Sequence, residues 1–158
     1  MTSSERVQSF LAQHAPDLAV SELSQSTATV AEAANAFGVT PGQIAKTLSL
    51  KVGEAVILLV MAGDSRLHNS KFKQRFGVKP RMLKAEEVEP LTGFVPGGVC
   101  PFAAKSGVQV FCDQSLQAHF EILPAGGSRN SGVRITPQRL ADICQAQWVD
   151  VGQIPELA

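Results

Sequence analysis

The chain has 158 residues, 44% hydrophobic and 18% charged, and its 14 basic and 14 acidic side chains cancel to a formal net charge of zero. That is enough chain to bury the core of one domain, and no apolar run approaches the ~20 residues that a membrane-spanning helix needs. Three cysteines without a CxxC pair (Cys100, Cys112, Cys144) and three scattered histidines (His14, His68, His119) argue against a disulfide framework and a metal centre.

Thr2-Ser3-Ser4-Glu5 has the form of a capping box, and Val7, Phe10 and Leu11 give the helix behind it an apolar face. A second box, Thr29-Val30-Ala31-Glu32, opens a helix with Val30, Ala33, Ala34 and Phe37 on one side and Gly38 at its end. Thr40-Pro41-Gly42-Gln43 predicts a further short helical turn, with proline at its first position. Leu48, Leu50 and Val52 then alternate with Thr47, Ser49 and Lys51, the pattern of a strand with one wet face. Gly53-Glu54 supplies a hairpin turn, and Val56 to Met61 is apolar on both faces, so it belongs at the centre of a sheet. Ser70 to Phe76, closed by Gly77, predicts a short basic helix. Pro80 to Leu83 and Val108 to Cys112 read as strands. Thr136-Pro137 starts a last helix carrying Leu140, Ile143 and Cys144, and Trp148-Val149 adds a closing strand. No repeat, low-complexity tract or linker interrupts the chain. The expected fold is one α+β domain over residues 1–158, with a mixed and largely antiparallel central sheet among short helices.

The zero net charge hides a local asymmetry. Arg66, Lys71, Lys73, Arg75, Lys79, Arg81 and Lys84 follow one another with no acidic residue between, half of the 14 basic residues in one stretch. Such a run is either a solvated face or a surface for phosphates; Lys71, Lys73 and Arg75, on the predicted basic helix, are the candidates for RNA contact. The N-terminus lacks a basic segment followed by an apolar one, so no secretory signal is expected and a cytoplasmic location is.

Three further segments carry candidate chemistry. Lys46, in Gly42-Gln43-Ile44-Ala45-Lys46-Thr47-Leu48, stands where a helical turn runs into the central hairpin, a position from which a lysine can be held rigidly toward a groove. Thr92 to Phe102 contains Gly97-Gly98-Val99-Cys100-Pro101, a tight loop whose main-chain N–H groups are unmasked and can donate to an oxyanion or a phosphate. Ala125-Gly126-Gly127-Ser128-Arg129-Asn130-Ser131-Gly132 is small and polar enough to let a ligand or another backbone approach closely.

Taken together, these segments resemble the YbaK/prolyl-tRNA-synthetase-associated family of aminoacyl-tRNA deacylases. Ile44-Ala45-Lys46-Thr47-Leu48 matches that family's lysine motif, and Gly97 to Pro101 falls in the register of its GxxxP loop. Gly126-Gly127 matches its late glycine pair, and Ala31-Glu32-Ala33-Ala34 and Ala62-Gly63-Asp64 follow its general run. The resemblance spans roughly Ser26 to Cys144.

It implies a hydrolase that acts in trans on the ester of a mischarged tRNA, using water and the neighbouring ribose hydroxyl, without cofactor or metal. The partners implied are the acceptor end of that tRNA and an aminoacyl-tRNA synthetase, with no membrane. Lys46, Gly97 and Gly98 are implied as catalytic. Thr47, Val99, Cys100, Pro101, Gly126, Gly127 and Ser128 are implied as the substrate site. Lys46 would hold the terminal phosphate or polarise the ester. The family's cysteine-specific branch carries Ser-Gly-Gly in the late loop where this chain has Ala125-Gly126-Gly127. That departure speaks against cysteine itself and leaves alanine, serine, threonine or another small, cysteine-like residue, on a tRNA for proline. Two alternatives remain beside this reading: a non-catalytic RNA-binding module that uses the basic stretch, and a thiol hydrolase with Cys100 as nucleophile.

Overall fold

In chain order the computed structural model, which describes residues 1–154, runs α1 (Ser3–His14), β1 (Ser21–Glu22), α2 (Val30–Phe37), a 3-10 turn (Pro41–Gln43), β2 (Ile44–Val52), β3 (Ala55–Ala62), β4 (Arg66–Leu67), α3 (Asn69–Phe76), β5 (Arg81–Met82), α4 (Ala85–Thr92), β6 (Gln109–Asp113), a second 3-10 turn (Gln114–Ala118), β7 (Leu123–Pro124), β8 (Ser131–Gly132), α5 (Pro137–Cys144), β9 (Gln147–Val149) and β10 (Gly152–Gln153). The capping box at Thr2 and Glu5 is complete. At Thr29 only half of the second one forms: the hydroxyl accepts the Glu32 N–H at 3.1 Å, while the Glu32 carboxylate accepts a hydrogen bond from that hydroxyl instead of from a main-chain N–H.

Six strands build one sheet in the order β5-β2-β3-β6-β9, with β7 laid beside the start of β2. The β2–β3 hairpin pairs antiparallel from Ala45↔Ala62 to Val52↔Ala55 around the turn at Gly53-Glu54, and β5 also joins β2 antiparallel. β6, β9 and β7 pair parallel to their neighbours. The sheet is mixed, as expected, but its parallel share is larger than the hairpin pattern suggests. Parallel neighbours need long crossovers, and the chain supplies them: α3, β5 and α4 lie between β3 and β6, and α5 lies between β6 and β9.

Alternation along each strand sends successive side chains to opposite faces. Leu50, Ile57, Leu59 and Phe111 go to one face, where α3 lays Phe72 over them. Phe76 of α3 meets Phe111 edge-on at 5.1 Å between ring centroids, and the Arg75 guanidinium rests over both rings. Ala45, Leu58, Val60, Val110 and Cys112 face the other way, into a larger core with Val7 and Leu11 of α1, Phe94, Phe102 and Leu140 of α5. Each fully buried aliphatic side chain of this kind contributes about 1.5–3 kcal/mol. The hairpin is thus clamped between two helical layers. Among the described residues no helix is long and apolar enough to cross a membrane.

Candidate functional site

On the side of β2 away from β3, two short strands share one edge. β7 pairs with Ile44 and Ala45, and β5 pairs with Leu50 and Lys51. The stretch between them has no partner strand on that side. A cleft of about 380 Å³ opens over this gap, at the small end of the range for ligand clefts, ~300–1,000 Å³. Thr27 to Val30, Ala33 and Phe37 form one wall; Met82, Leu83, Ala85 and Val88 form another. Pro96, Gly97 and Val99 close it from the glycine loop, and Leu123 to Ala125 with Ser131 from the far side.

Lys46 is the one ionisable residue in the lining of the cleft among the described residues. Its ammonium donates to the carbonyl of Ser65 and, at 3.4 Å, to that of Gly63, fastening the turn between β3 and β4. Burial draws its pKa below the ordinary lysine value, with the nearby Asp64 carboxylate pulling the other way. An ammonium has three donors; two serve the turn and one is left over.

Thr47 and Ser49 are the polar positions of the predicted wet face, and the structure corrects what wets them. Both line the cleft, and Ser49 is buried. Thr47 Oγ1 is the single buried side-chain oxygen or nitrogen among the described residues without a hydrogen-bond partner. A hydroxyl in that state costs about 1–3 kcal/mol.

Val95-Pro96-Gly97-Gly98 is a turn closed by Gly98 N–H to Val95 C=O at 2.9 Å. Gly97 sits at φ +86°, the left-handed position that such a turn reserves for glycine. The Gly98 N–H is spent on the turn, which corrects the expectation that it faces a substrate. Gly98 instead backs onto the late loop, where a Cβ would lie 3.2 Å from the Ser128 main chain. The N–H groups of Gly97 and Val99 have no main-chain acceptor among the described residues, and both residues line the cleft.

Other expected site residues lie elsewhere. Cys100 is wholly buried, with its thiol turned to the Phe102 carbonyl at 3.6 Å. Burial pushes its pKa up to about 12, so it neither lines the cleft nor offers a thiolate. Pro101 borders a different hollow with Phe10, His14 and Cys144. Gly127 packs against Val7 and Ser3 of α1, and Gly126 against Val20 and Ser131. The Ser128 hydroxyl is engaged by Asn130 Oδ1 and Ser131 Oγ at 3.0 and 2.7 Å. Ala125 and Ser131 are the late-loop residues that reach the cleft.

Lys71, Lys73 and Arg75 share α3, on the sheet face that buries Phe72. Lys71 pairs with Asp150 at 3.1 Å and donates to the Gly152 carbonyl at 3.0 Å, and Arg75 donates to Gln147 at 3.0 Å. Lys73 has no such partner among the described residues. The α4 wall leaves little trace in the sequence, because Pro90 stands inside it and its apolar residues, Val88 and Leu91 among them, are few. The β7 wall is a two-residue pairing, too short to leave a pattern.

Residues 24–143 match the family model of the aminoacyl-tRNA editing domain. The chain is 44% identical to the uncharacterized protein YwhH of Bacillus subtilis over 84% of its own length and 85% of that protein. It is 26% identical to EbsC of Enterococcus faecalis, a candidate Cys-tRNA(Pro)/Cys-tRNA(Cys) deacylase, over 85% of this chain and 82% of that one. Among solved structures it superposes on a candidate trans-editing enzyme for prolyl tRNA synthetase with a TM-score of 0.88 and 34% identity, across 97% of this chain and 98% of the other.

Proposed function

The chain belongs to the aminoacyl-tRNA editing domain family, and from that premise we propose that it acts in trans to hydrolyse a small amino acid, alanine, serine, threonine or cysteine, from a tRNA for proline. The observation that carries this reading is the chemistry of the cleft: one lysine, several hydroxyl-bearing residues and main-chain N–H groups without main-chain acceptors, with no His, Asp, Glu or Cys lining it among the described residues. Such a site has no activated protein nucleophile and no strong base. An aminoacyl ester is reactive enough to need neither, only a held carbonyl and a stabilised oxyanion. Water adds to the ester carbon, and the N–H groups of Gly97 and Val99 face the oxyanion, each contributing on the order of 3 kcal/mol. The bond from that carbon to the ribose oxygen then breaks. The neighbouring ribose hydroxyl relays the proton from the attacking water to the leaving oxygen, and the products are the free amino acid and the uncharged tRNA.

In this reading the half-buried ammonium of Lys46 meets the ester end of the substrate through its remaining N–H. The apolar walls at Ala33, Leu83 and Val88 favour a small side chain. Discrimination by size is what a synthetase pocket lacks, since one methylene there is worth only ~1–3 kcal/mol. The similarity to a candidate trans-editing enzyme for prolyl tRNA synthetase supports proline tRNA and its synthetase as partners. Lys73, with Lys71 and Arg75, supplies phosphate contacts to the tRNA body. The test is a deacylation panel of alanyl-, seryl-, threonyl- and cysteinyl-tRNA, each on the proline tRNA and on its cognate body. Acceleration over spontaneous hydrolysis for at least one small residue is expected; none for any would overturn the reading.

A further inference from the structure

We propose that the gap in the sheet edge at Thr47 is the subsite for the amino-acid moiety, which binds there as a strand one residue long and is recognised by its free α-ammonium. The ligand's identity rests on the editing reading above; the geometry rests on the ladder. Along a β-strand the N–H and C=O of successive residues point alternately to the two neighbours. Ile44 C=O accepts the Gly63 N–H on the β3 side, whereas Ser49 C=O accepts the Leu83 N–H on the β5 side. Even-numbered main-chain groups of β2 therefore face β3, and odd-numbered ones face away. Among the latter, Ala45 is paired with β7, Lys51 with β5, and Ser49 has its carbonyl taken by the Leu83 N–H. That leaves Thr47, whose N–H and C=O project into the gap, in the cleft that Leu83 and Ala125 also line. The unpartnered Thr47 hydroxyl belongs to the same spot.

Facing residues in an antiparallel ladder exchange a closely spaced pair of hydrogen bonds. A single α-amino acyl group can complete that pair. Its ammonium donates to the Thr47 carbonyl and hydroxyl oxygens, and its acyl oxygen accepts the Thr47 N–H. An N-acylated amino acid has lost the charge and all but one donor. Peptidyl and formylated aminoacyl esters are thereby refused, although the bond to be cut is the same.

Three measurements test this. Acetylating the amino group of alanyl-tRNA should lower kcat/KM of the wild-type protein on the order of 100-fold, the scale on which a site built for a polar group rejects its absence. Thr47→Val should cost about 30-fold on the free-amine substrate and little on the acetylated one, with no loss of melting temperature, because no bond inside the protein is broken; Thr47→Ser should recover most of the rate. The amide resonance of Thr47 should shift downfield when the protein is titrated with 3′-alanylamino-3′-deoxyadenosine, a stable mimic of the ester. Equal turnover of free and acetylated substrates, or a Thr47 amide unmoved at saturation, overturns the proposal. Absence of turnover on every tRNA, with the amide still shifted by the analogue, would instead remove the editing reading and leave the subsite standing.

Discussion

Replacing Lys46 by alanine removes an ammonium and, with it, the hydrogen bonds to the carbonyls of Gly63 and Ser65. Bonds from a charged donor contribute ~1.5–3 kcal/mol each when buried. Lys46 is only half-buried and its ammonium bears a desolvation cost, so the net loss is about 1–2 kcal/mol. In a chain of this size that lowers Tm by about 3–6 °C. The catalytic loss is larger: kcat/KM for deacylation falls at least ~100-fold, equivalent to about 2.7 kcal/mol. Lys46→Arg restores much of the Tm and part of the rate, because a planar guanidinium aims its donors differently. Lys51→Ala, on the same strand and outside the cleft lining, leaves both nearly unchanged. The assay is release of labelled amino acid from mischarged tRNA, corrected for spontaneous hydrolysis, well below the Tm of every variant. The pH dependence has two opposed signs. The protonated lysine is the active form, so kcat/KM falls as pH rises, and it does so below the pH at which an exposed lysine titrates. In that window the unfolded chain holds more protons than the folded one, so stability rises with pH. Equal small effects at Lys46 and Lys51, or a rate loss that merely tracks the loss of folded protein, would refute the assignment.

Cys100→Ala should keep turnover within about threefold, at a stability cost of about 1 kcal/mol for the small cavity left behind; loss of activity by orders of magnitude with the fold intact would restore the thiol mechanism. Gly98→Val places a branched side chain against the Ser128 main chain, so the two loops must part, and we expect kcat to fall on the order of 100-fold with a stability loss of about 1–3 kcal/mol. Near-normal turnover in that variant would remove the loop from the site. Replacing Lys71, Lys73 and Arg75 together by alanine should weaken tRNA binding and flatten its salt dependence by ~0.7–0.9 in log–log slope for each phosphate no longer neutralised. Unaltered affinity at low salt would show α3 to be a solvated face.

Much of the fold was legible because its signals are local. The capping box at Thr2, the αL glycines after Phe37 and Phe76, the turn at Gly53-Glu54 and the apolar run of β3 each act through neighbours in sequence. What was not legible depends on distant segments. β1, β4, β5, β7, β8 and β10 are two residues each, shorter than any alternation can show, and α4 carries a proline that speaks against a helix. The parallel β6 and β9 could not be told from hairpin strands, since direction is a property of the crossover and not of the strand's own residues.

The site divides along the same line. Lys46 and the turn at Gly97 were visible because spacing and glycine placement announce them, and both border the cleft. Cys100, Pro101, Gly126, Gly127 and Ser128 lie within a few residues of ones that reach it, and adjacency misleads where a chain turns away: in a tight loop one residue faces the cleft while the next enters the core. β2 shows the reason most clearly. Its alternation marked Thr47 and Ser49 as polar, which is correct, yet polarity alone does not say whether water, a neighbouring strand or a ligand satisfies those groups. The answer is set by where β5 begins and β7 ends, two short pairings that leave the edge from Lys46 to Ser49 without a partner strand. A strand kept whole by continuous partners would have no room for a substrate. One interrupted opposite Thr47 keeps its ladder on the β3 side and, on the other, holds open main-chain groups that a substrate can complete.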